Sequence, residues 1–386
     1  MKLDPYKNKE RWISWKEKSS CVIPDISKIN SDLVLRYLGD MEKGINVAHL
    51  SKKGGRSYVR LNTIKNRIVL IVKHFEARFR LDDISKVTEE QVCSFFSDMR
   101  NGGLRKANGE IYKSVKDYTK IFKAFWHWYQ RVERKNKIEI PDITIYLDTT
   151  GNKPEWVYLN EKQIRELVDS AKYNYKVLIM FLFDSGIRSP TELVNIKVSD
   201  LFNDCKELNI RDEVSKTFGR RIKLMICSEL LREYIKAKNL KIDDYIFKIH
   251  PYSVNKYLKR LGKRVFGEEK SLAGQKYSDL TMYDFRHISC CYWLPRYKSE
   301  SALKYRFGWK KSDKIHYYSE MLGMSDTITE DDILIDVTRT EIEKRLERSD
   351  REKELMKDEM NTLRMQMKQI FQLTNQLMMQ ARGIKN

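Results

Sequence analysis

Six histidines and six cysteines are the side chains of this 386-residue chain most able to hold a metal or act as nucleophiles. His49, His74, His127, His250, His287 and His316 form no HxH or HExxH pair, which argues against a metal-dependent relaxase or metalloprotease site. Cys21, Cys93, Cys205, Cys227, Cys290 and Cys291 show no CxxC spacing, so a zinc knuckle is not expected. What the sequence has in quantity is cationic chemistry. Lysine and arginine number 74 against 54 acidic residues, a formal net charge of +20. A surplus of that size repels itself unless it meets a polyanion, and nucleic acid is the commonest one. Simple solubility is the blander account, although solubility alone seldom requires so much charge.

Some of those cations fall on the outer sides of amphipathic helices. In RLNTIKNRIVLIVKHFEARF, Ile64, Ile68, Ile71, Phe75 and Phe79 share one face, leaving Lys65, Arg67 and Lys73 for solvent or a ligand. In KSVKDYTKIFKAFWHWYQRV, Val115, Phe122, Phe125, Trp126 and Tyr129 point to a core, with Lys113, Lys116, Lys120 and Lys123 outside. A solvated face explains any one of these lysines. Their accumulation on two helices of one unit favours phosphate contact.

Around these helices the chain divides into a loose polar arm at 1–30, a helical unit at 31–135 whose cations point to phosphate contact, and a linker at 136–156. The linker breaks periodicity and carries Pro141 and Pro154. A second unit, 157–330, opens where Asn160 can cap a helix with Gln163 in the reciprocal position. It continues through the apolar YKVLIMFLFDSG, a β-rich stretch at 207–226 that reads as a hairpin around Gly219, and helical segments from about Ser253 to Glu320. The fold class expected is mainly α with a small β-hairpin or sheet in the second unit, an α+β arrangement. In the last segment, 339–386, apolar positions alternate steps of four and three from Ile342 through Met356, Met360, Leu363 and Met367 to Ile384. That is a coiled-coil seam, weakened at Ser349 and Lys353, with a lone amphipathic helix folding back as the alternative. MKLDPYKNKERW lacks the apolar core of a signal peptide, and no apolar run approaches the ~20 residues that span a bilayer. A cytoplasmic, nucleoid-associated protein with reduced thiols and no membrane partner is expected.

Four segments, in order, resemble the tyrosine recombinase (phage-type integrase) family, especially its archaeal members. FLFDSGIRSPTELVNIKVSDL is similar to the family's first arginine box and places Arg188 at the catalytic arginine. SKTFGRRIKL resembles the hairpin lysine motif, with Lys216 as the catalytic lysine. TMYDFRHISCCYWL resembles the H-x-x-R box, with Arg286 as the second arginine and Tyr283 where the histidine usually stands. In YRFGWKKSDKIHYYSEMLG, Gly308-Trp309 matches the family's Gly-His/Trp, and Tyr318 matches the nucleophile. The resemblance is detailed over about 160–325. The helical unit at 31–135 matches only in general pattern, as a core-binding domain.

The resemblance implies a site-specific recombinase that cuts and rejoins double-stranded DNA through a covalent 3′-phosphotyrosine. No cofactor, metal or ATP is required, and the expected assembly is a homo-oligomer formed on DNA, encoded by a mobile genetic element. The residue types suit that chemistry. Phenol attack builds negative charge on a pentavalent phosphorus, and two rigid guanidinium forks can grip its non-bridging oxygens. A lysine can protonate the departing 5′ oxygen, and the covalent intermediate conserves the bond energy for religation. Tyr283 departs from the pattern, though a phenol can still donate a hydrogen bond to a phosphate oxygen. Glu192 lies four residues after Arg188 rather than three, and Tyr317 adjoins Tyr318, whose register from Trp309 favours it. Blander roles stand beside these: Arg188 as an ion-pair partner of Glu192, Lys216 as a phosphate clamp, Trp309 as core, and His287 as a packed donor as readily as a catalyst. The alternatives in function are a type IB topoisomerase-like nicking-closing enzyme and a non-catalytic DNA-binding protein related to integrases.

Overall fold

A computed structural model describes residues 2–48, 54–151, 153–297 and 299–323, together with Met356, Met360, Leu363, Arg364, Met365 and Met367. Five helices build the N-terminal part: α1 (Asn8–Lys18), α2 (Lys28–Lys43), α3 (Tyr58–Phe79), α4 (Glu89–Asn101) and α5 (Val115–Lys135). Three of their starts are capped locally by side chains. Ser27 and Ser57 accept from the backbone N–H groups of Asn30 and Arg60, and Thr88 forms a capping box with Gln91. Ile64, Ile68, Ile71 and Phe75 of α3 meet Val115, Phe122, Phe125 and Trp126 of α5 in one buried core, with Phe79 and Tyr129 partly buried at its edge.

Two expectations change here. Residues 1–30 are not a loose polar arm. α1 buries Trp12 in that core, and the indole N–H donates to Glu42 at 2.8 Å. The stretch read as a linker also packs. Ile143 and Leu147 are buried against the first core, and Trp126 donates to the Pro141 carbonyl at 2.9 Å. The physical reason is the same in both places. A few large apolar groups within a polar stretch recover enough transfer free energy to order it, and a periodicity scan overlooks them because they do not repeat.

The second core begins at Trp156. It is built by α6 (Glu161–Asp169), α7 (Tyr173–Ser185), strands β1 (Leu201–Phe202), β2 (Glu207–Ile210) and β3 (Arg220–Lys223), then α8 (Ser228–Ala237), α9 (Pro251–Phe266), α10 (Asp284–Trp293), α11 (Glu300–Phe307) and α12 (Asp313–Met321). The Asn160/Gln163 capping box starts α6. The strands form an antiparallel sheet in the order β1-β2-β3, with Leu208 opposite Ile222 and Ile210 opposite Arg220. Alternation buries Leu208, Ile210 and Ile222, and it also carries the Arg220 side chain into the core. The segment 211–219, between β2 and β3, holds Lys216 outward.

The coiled-coil expectation for 339–386 lies outside the described residues except for six. Those six are helical and exposed, and Met356, Met360, Leu363 and Met367 among them are seam positions.

Because Trp12 is enclosed, Trp12→Ala is expected to lower unfolding free energy by about 3–5 kcal/mol. Chemical denaturation measures this. A loss below about 0.5 kcal/mol, ordinary for surface substitutions, would return α1 to the status of a dispensable arm.

Candidate active site

α7 ends at Gly186, whose left-handed φ of 58° turns the chain sharply into Ile187 and Arg188. A side chain at 186 would collide with the Phe307 ring and the Ser289 hydroxyl, so only glycine lets α7, α10 and α11 approach here. Arg188 donates from Nη1 to Glu192 at 2.9 Å and from Nη2 to the Gly308 carbonyl at 2.9 Å. Its backbone N–H also donates to Glu192, at 2.9 Å. Glu192 is 1% exposed and takes a second cation from the other side: Arg220 Nη2 at 2.9 Å. Burial by itself would raise the Glu192 pKa. The charge and hydrogen bonds of Arg220, followed by those of Arg188, outweigh it and hold the carboxyl at about 2.

Arg220 reaches further. Its Nε donates to the Arg306 carbonyl at 2.8 Å, joining β3 to α11. Sequence reading missed this residue. The available signal was a charged position in phase with Ile222 on a half-buried strand.

Arg286, in the first turn of α10, is 5% exposed and donates to the carbonyls of Gly186 (2.6 Å) and Phe307 (2.5 Å). Burial and then the nearby Arg188 charge pull its pKa down to about 10, which leaves it cationic at neutral pH. Both arginines are therefore hung on backbone at the α7 and α11 termini. Gly308, at φ 60°, is the hub: a Cβ there would lie 3.0 Å from Arg220 Nη1, 3.1 Å from Thr217 Oγ1 and 3.3 Å from Arg188 Nη1. Thr217 Oγ1 donates to the same Gly308 carbonyl at 2.9 Å, which ties down the segment that carries the exposed Lys216.

Tyr318 lies on α12, 4% exposed. Its ring stacks on Trp309 at 6.0 Å and 12°, and Trp309 in turn stacks on Phe307. Trp309 is thus both packed and in contact with the candidate nucleophile. The Tyr318 hydroxyl is 2.5 Å from Nδ1 of His287. Burial, and then the neighbouring Cys290 and Cys291, raise its pKa well above the ordinary tyrosine value, only partly opposed by Arg286. Tyr317 is engaged elsewhere: its hydroxyl donates to the Pro154 carbonyl at 3.0 Å and accepts from the Trp156 indole at 2.9 Å. Tyr283, the N-cap of α10, is 48% exposed, with its ring edge-on to His287. Arg188, Arg286, Trp309 and Tyr318 thus converge, while Lys216 and Tyr283 face outward at the rim. Among the described residues no group of three or more His, Cys, Asp or Glu could hold a metal.

The cations assigned to phosphate contact separate into three groups. Lys65 lies over the Trp15 ring, Arg67 pairs with Asp117 at 3.0 Å, and Lys73 pairs with Asp25 at 2.8 Å. Lys113 is exposed, and Lys116 lies half-buried beside Gly151. Lys120 and Lys123 instead line a concavity of about 430 Å³ together with Arg56, Arg60, His127 and Arg131. Among the described residues no carboxylate lines it, although His127 pairs with Asp142 at 3.0 Å. Arg56, Arg60 and Arg131 were missed, although Lys120, Lys123, His127 and Arg131 follow the three-and-four spacing of one helix face.

Residues 157–322 match the phage integrase family. No curated protein matches the chain by sequence. Solved structures that share the fold include the following three. A lambda integrase dimer bound to a COC′ core site superposes with a TM-score of 0.56 at 15% identity, covering 81% of this chain and 82% of that one. The Tn1549 transposon integrase in complex with a circular intermediate DNA gives 0.53 at 16%, over 81% and 98%. The XerH site-specific recombinase in a post-cleavage complex with palindromic difH gives 0.50 at 14%, over 70% and 80%.

The depressed Glu192 carboxyl makes a signed expectation. A group whose folded pKa lies below its unfolded value contributes stability above the unfolded pKa and loses it as pH falls through the folded one. The stability advantage of the native protein over Glu192→Gln should be full at pH 7 and shrink between about pH 5 and about 2. Paired denaturation curves across that range check it. A pH-independent difference would mean that Glu192 is not held ionised by its two arginines.

Proposed function

We infer that this chain, whose residues 157–322 form a phage integrase family domain, is a tyrosine recombinase that cleaves and rejoins double-stranded DNA through Tyr318. The observation that carries the assignment of residues is the suspension of two guanidiniums, Arg188 and Arg286, from the backbone around Gly186 and Gly308, with the Trp309–Tyr318 stack beside them. A phosphodiester entering there meets fixed cations at the position where transition-state charge develops, so no donor needs to reorganise during the reaction. Tyr318 attacks phosphorus and forms the 3′-phosphotyrosine. Lys216, outward on the segment between β2 and β3, protonates the leaving 5′ oxygen. Tyr283 at the rim supplies a hydrogen bond to a phosphate oxygen. Metal and ATP have no step in this scheme.

The DNA-binding part is the helical unit, and its contact surface is the concavity lined by Lys120, Lys123, Arg60 and Arg131 rather than the carboxylate-paired Arg67 and Lys73. A cation already held by a carboxylate neutralises a phosphate less effectively, because binding must first break the pair. The DNA-bound integrases with this fold support a homo-oligomer assembled on DNA. The tail at 339–386, whose described apolar residues are exposed, supplies a coiled-coil contact between protomers. Among the described residues no helix is long and apolar enough to cross a membrane, and a nucleoid-associated location follows from the DNA reading.

Tyr318→Phe should abolish the covalent adduct on a nicked suicide substrate while leaving DNA affinity within a few fold, because phosphate contacts dominate affinity. Adducts formed by Tyr318→Phe but not by Tyr317→Phe would move the nucleophile one residue. In filter binding across a salt series, Lys120→Ala and Arg131→Ala should each reduce the slope of log K against log salt by about 1. Lys73→Ala should leave it nearly unchanged. The reverse ranking would place the DNA on the opposite face of the helical unit.

A further inference from the structure

We propose that His287 is the general base of the cleavage step, taking the Tyr318 proton at Nδ1 as the phenolic oxygen attacks phosphorus. The inference rests on the recombinase reading and adds to it the group that activates the nucleophile.

The observations are geometric. Tyr283 and His287 stand one turn apart on the same face at the start of α10, their rings 5.3 Å apart. The imidazole absent from position 283 is thereby supplied four residues later, and further inside. The His287 ring stacks on the Trp156 indole, 4.8 Å away at 22°, which orients it toward Tyr318. Trp156 is itself fixed through its hydrogen bond to Tyr317. In this cage Nδ1 is 2.5 Å from the Tyr318 oxygen, within the reach a general base requires. With the ring proton on Nε2, Nδ1 accepts from the phenol.

The charged and titratable groups around the ring are Arg286 on its own helix, Lys314 on α12, and the phenols of Tyr283 and Tyr318. Burial, then Arg286, then Lys314 push the His287 pKa down to about 4, so the imidazole is neutral and able to accept a proton at pH 7. Tyr318, its own pKa raised by burial, has no free phenolate to offer. Its proton must therefore leave during attack, to a base already in contact.

The step balances. The Tyr318 oxygen bonds to phosphorus, and its proton passes to His287. The bond from phosphorus to the 5′ oxygen breaks, and that oxygen takes a proton from Lys216. Rejoining reverses both transfers, and the imidazolium returns its proton to the tyrosine oxygen.

The test uses the full chain on a nicked duplex of the site located by footprinting, following covalent adduct by gel and DNA affinity by filter binding. His287→Asn can place a carbonyl oxygen near the Nδ1 position, which keeps the hydrogen bond but cannot hold the proton. Both His287→Asn and His287→Ala should bind DNA within a few fold and form adduct on the order of 10²-fold more slowly or worse. Their rates should rise with pH between about 6 and 8, where the native rate is flat because its base is already neutral. His287→Asn cleaving at the native rate would overturn the proposal and leave His287 a positioning residue. Should either variant fail to fold, the native profile alone decides: a native rate climbing about tenfold per pH unit through neutrality would mean that no such base exists. A native chain that forms no adduct through Tyr318 would overturn the recombinase reading, and this inference with it.

Discussion

Glu192 is the carboxylate on which the rest of the site depends. Three guanidiniums, Arg188, Arg220 and Arg286, are drawn into one region between α7, β3, α10 and α11, and their mutual repulsion would open it without an anion at the centre. Glu192 accepts from Arg188 and Arg220, which neutralises the cluster in part and sets where each fork points. A buried ion pair is weak grounds for net stability, because desolvation of both partners offsets most of the attraction. Its effect here is on direction. Arg188 is held from one side by Glu192 and from the other by the Gly308 carbonyl, so its fork is restrained at both ends.

A second buried pair repeats the arrangement one layer away. Asp184 at the end of α7 accepts from Arg306 and from the backbone N–H groups of Ile226 and Cys227. Arg306 also donates to the Lys223 carbonyl and lies over the Trp293 ring. Through Asp184, the approach to α8, the end of β3 and helices α10 and α11 are tied to α7, the same helix that leads into Arg188. The two carboxylates, Glu192 and Asp184, turn the C-terminal end of α7 into a fixed platform. Gly186 and Gly308, both in left-handed conformations that a side chain would strain, let the platform close.

The chemistry on this platform has two sides of different character. One side is cationic and anchored to backbone. The other side is aromatic: the rings of Trp309, Trp156 and Tyr317 pack around the buried Tyr318. Burial raises the pKa of the phenol, and its hydroxyl lies 2.5 Å from Nδ1 of His287. The site is continuous with the connecting stretch before α6, since Trp156 stacks on His287 and binds Tyr317.

What the sequence determined by itself was local or periodic. Helix faces such as Ile64–Ile68–Ile71–Phe75, the Asn160/Gln163 cap and the β2–β3 hairpin follow from spacing and capping chemistry that act within a few residues. The four boxes around Arg188, Lys216, Arg286 and Tyr318 were legible because each is a short run in a distinctive order. Trp12 and the buried groups of 136–156 were not legible as core, since isolated apolar residues carry no period. Sorting the surface cations also needed the fold, because whether Lys73 or Lys123 faces an acid depends on which segment lies opposite. Only the tertiary structure brought Arg220 to Glu192 across 28 positions, Arg188 to Gly308 across 120, and Trp156 to Tyr317 across 161. These pairs are fixed by the angles at which α7, β3, α10 and α12 pack. That packing is a property of whole buried faces, and no spacing along the chain encodes it.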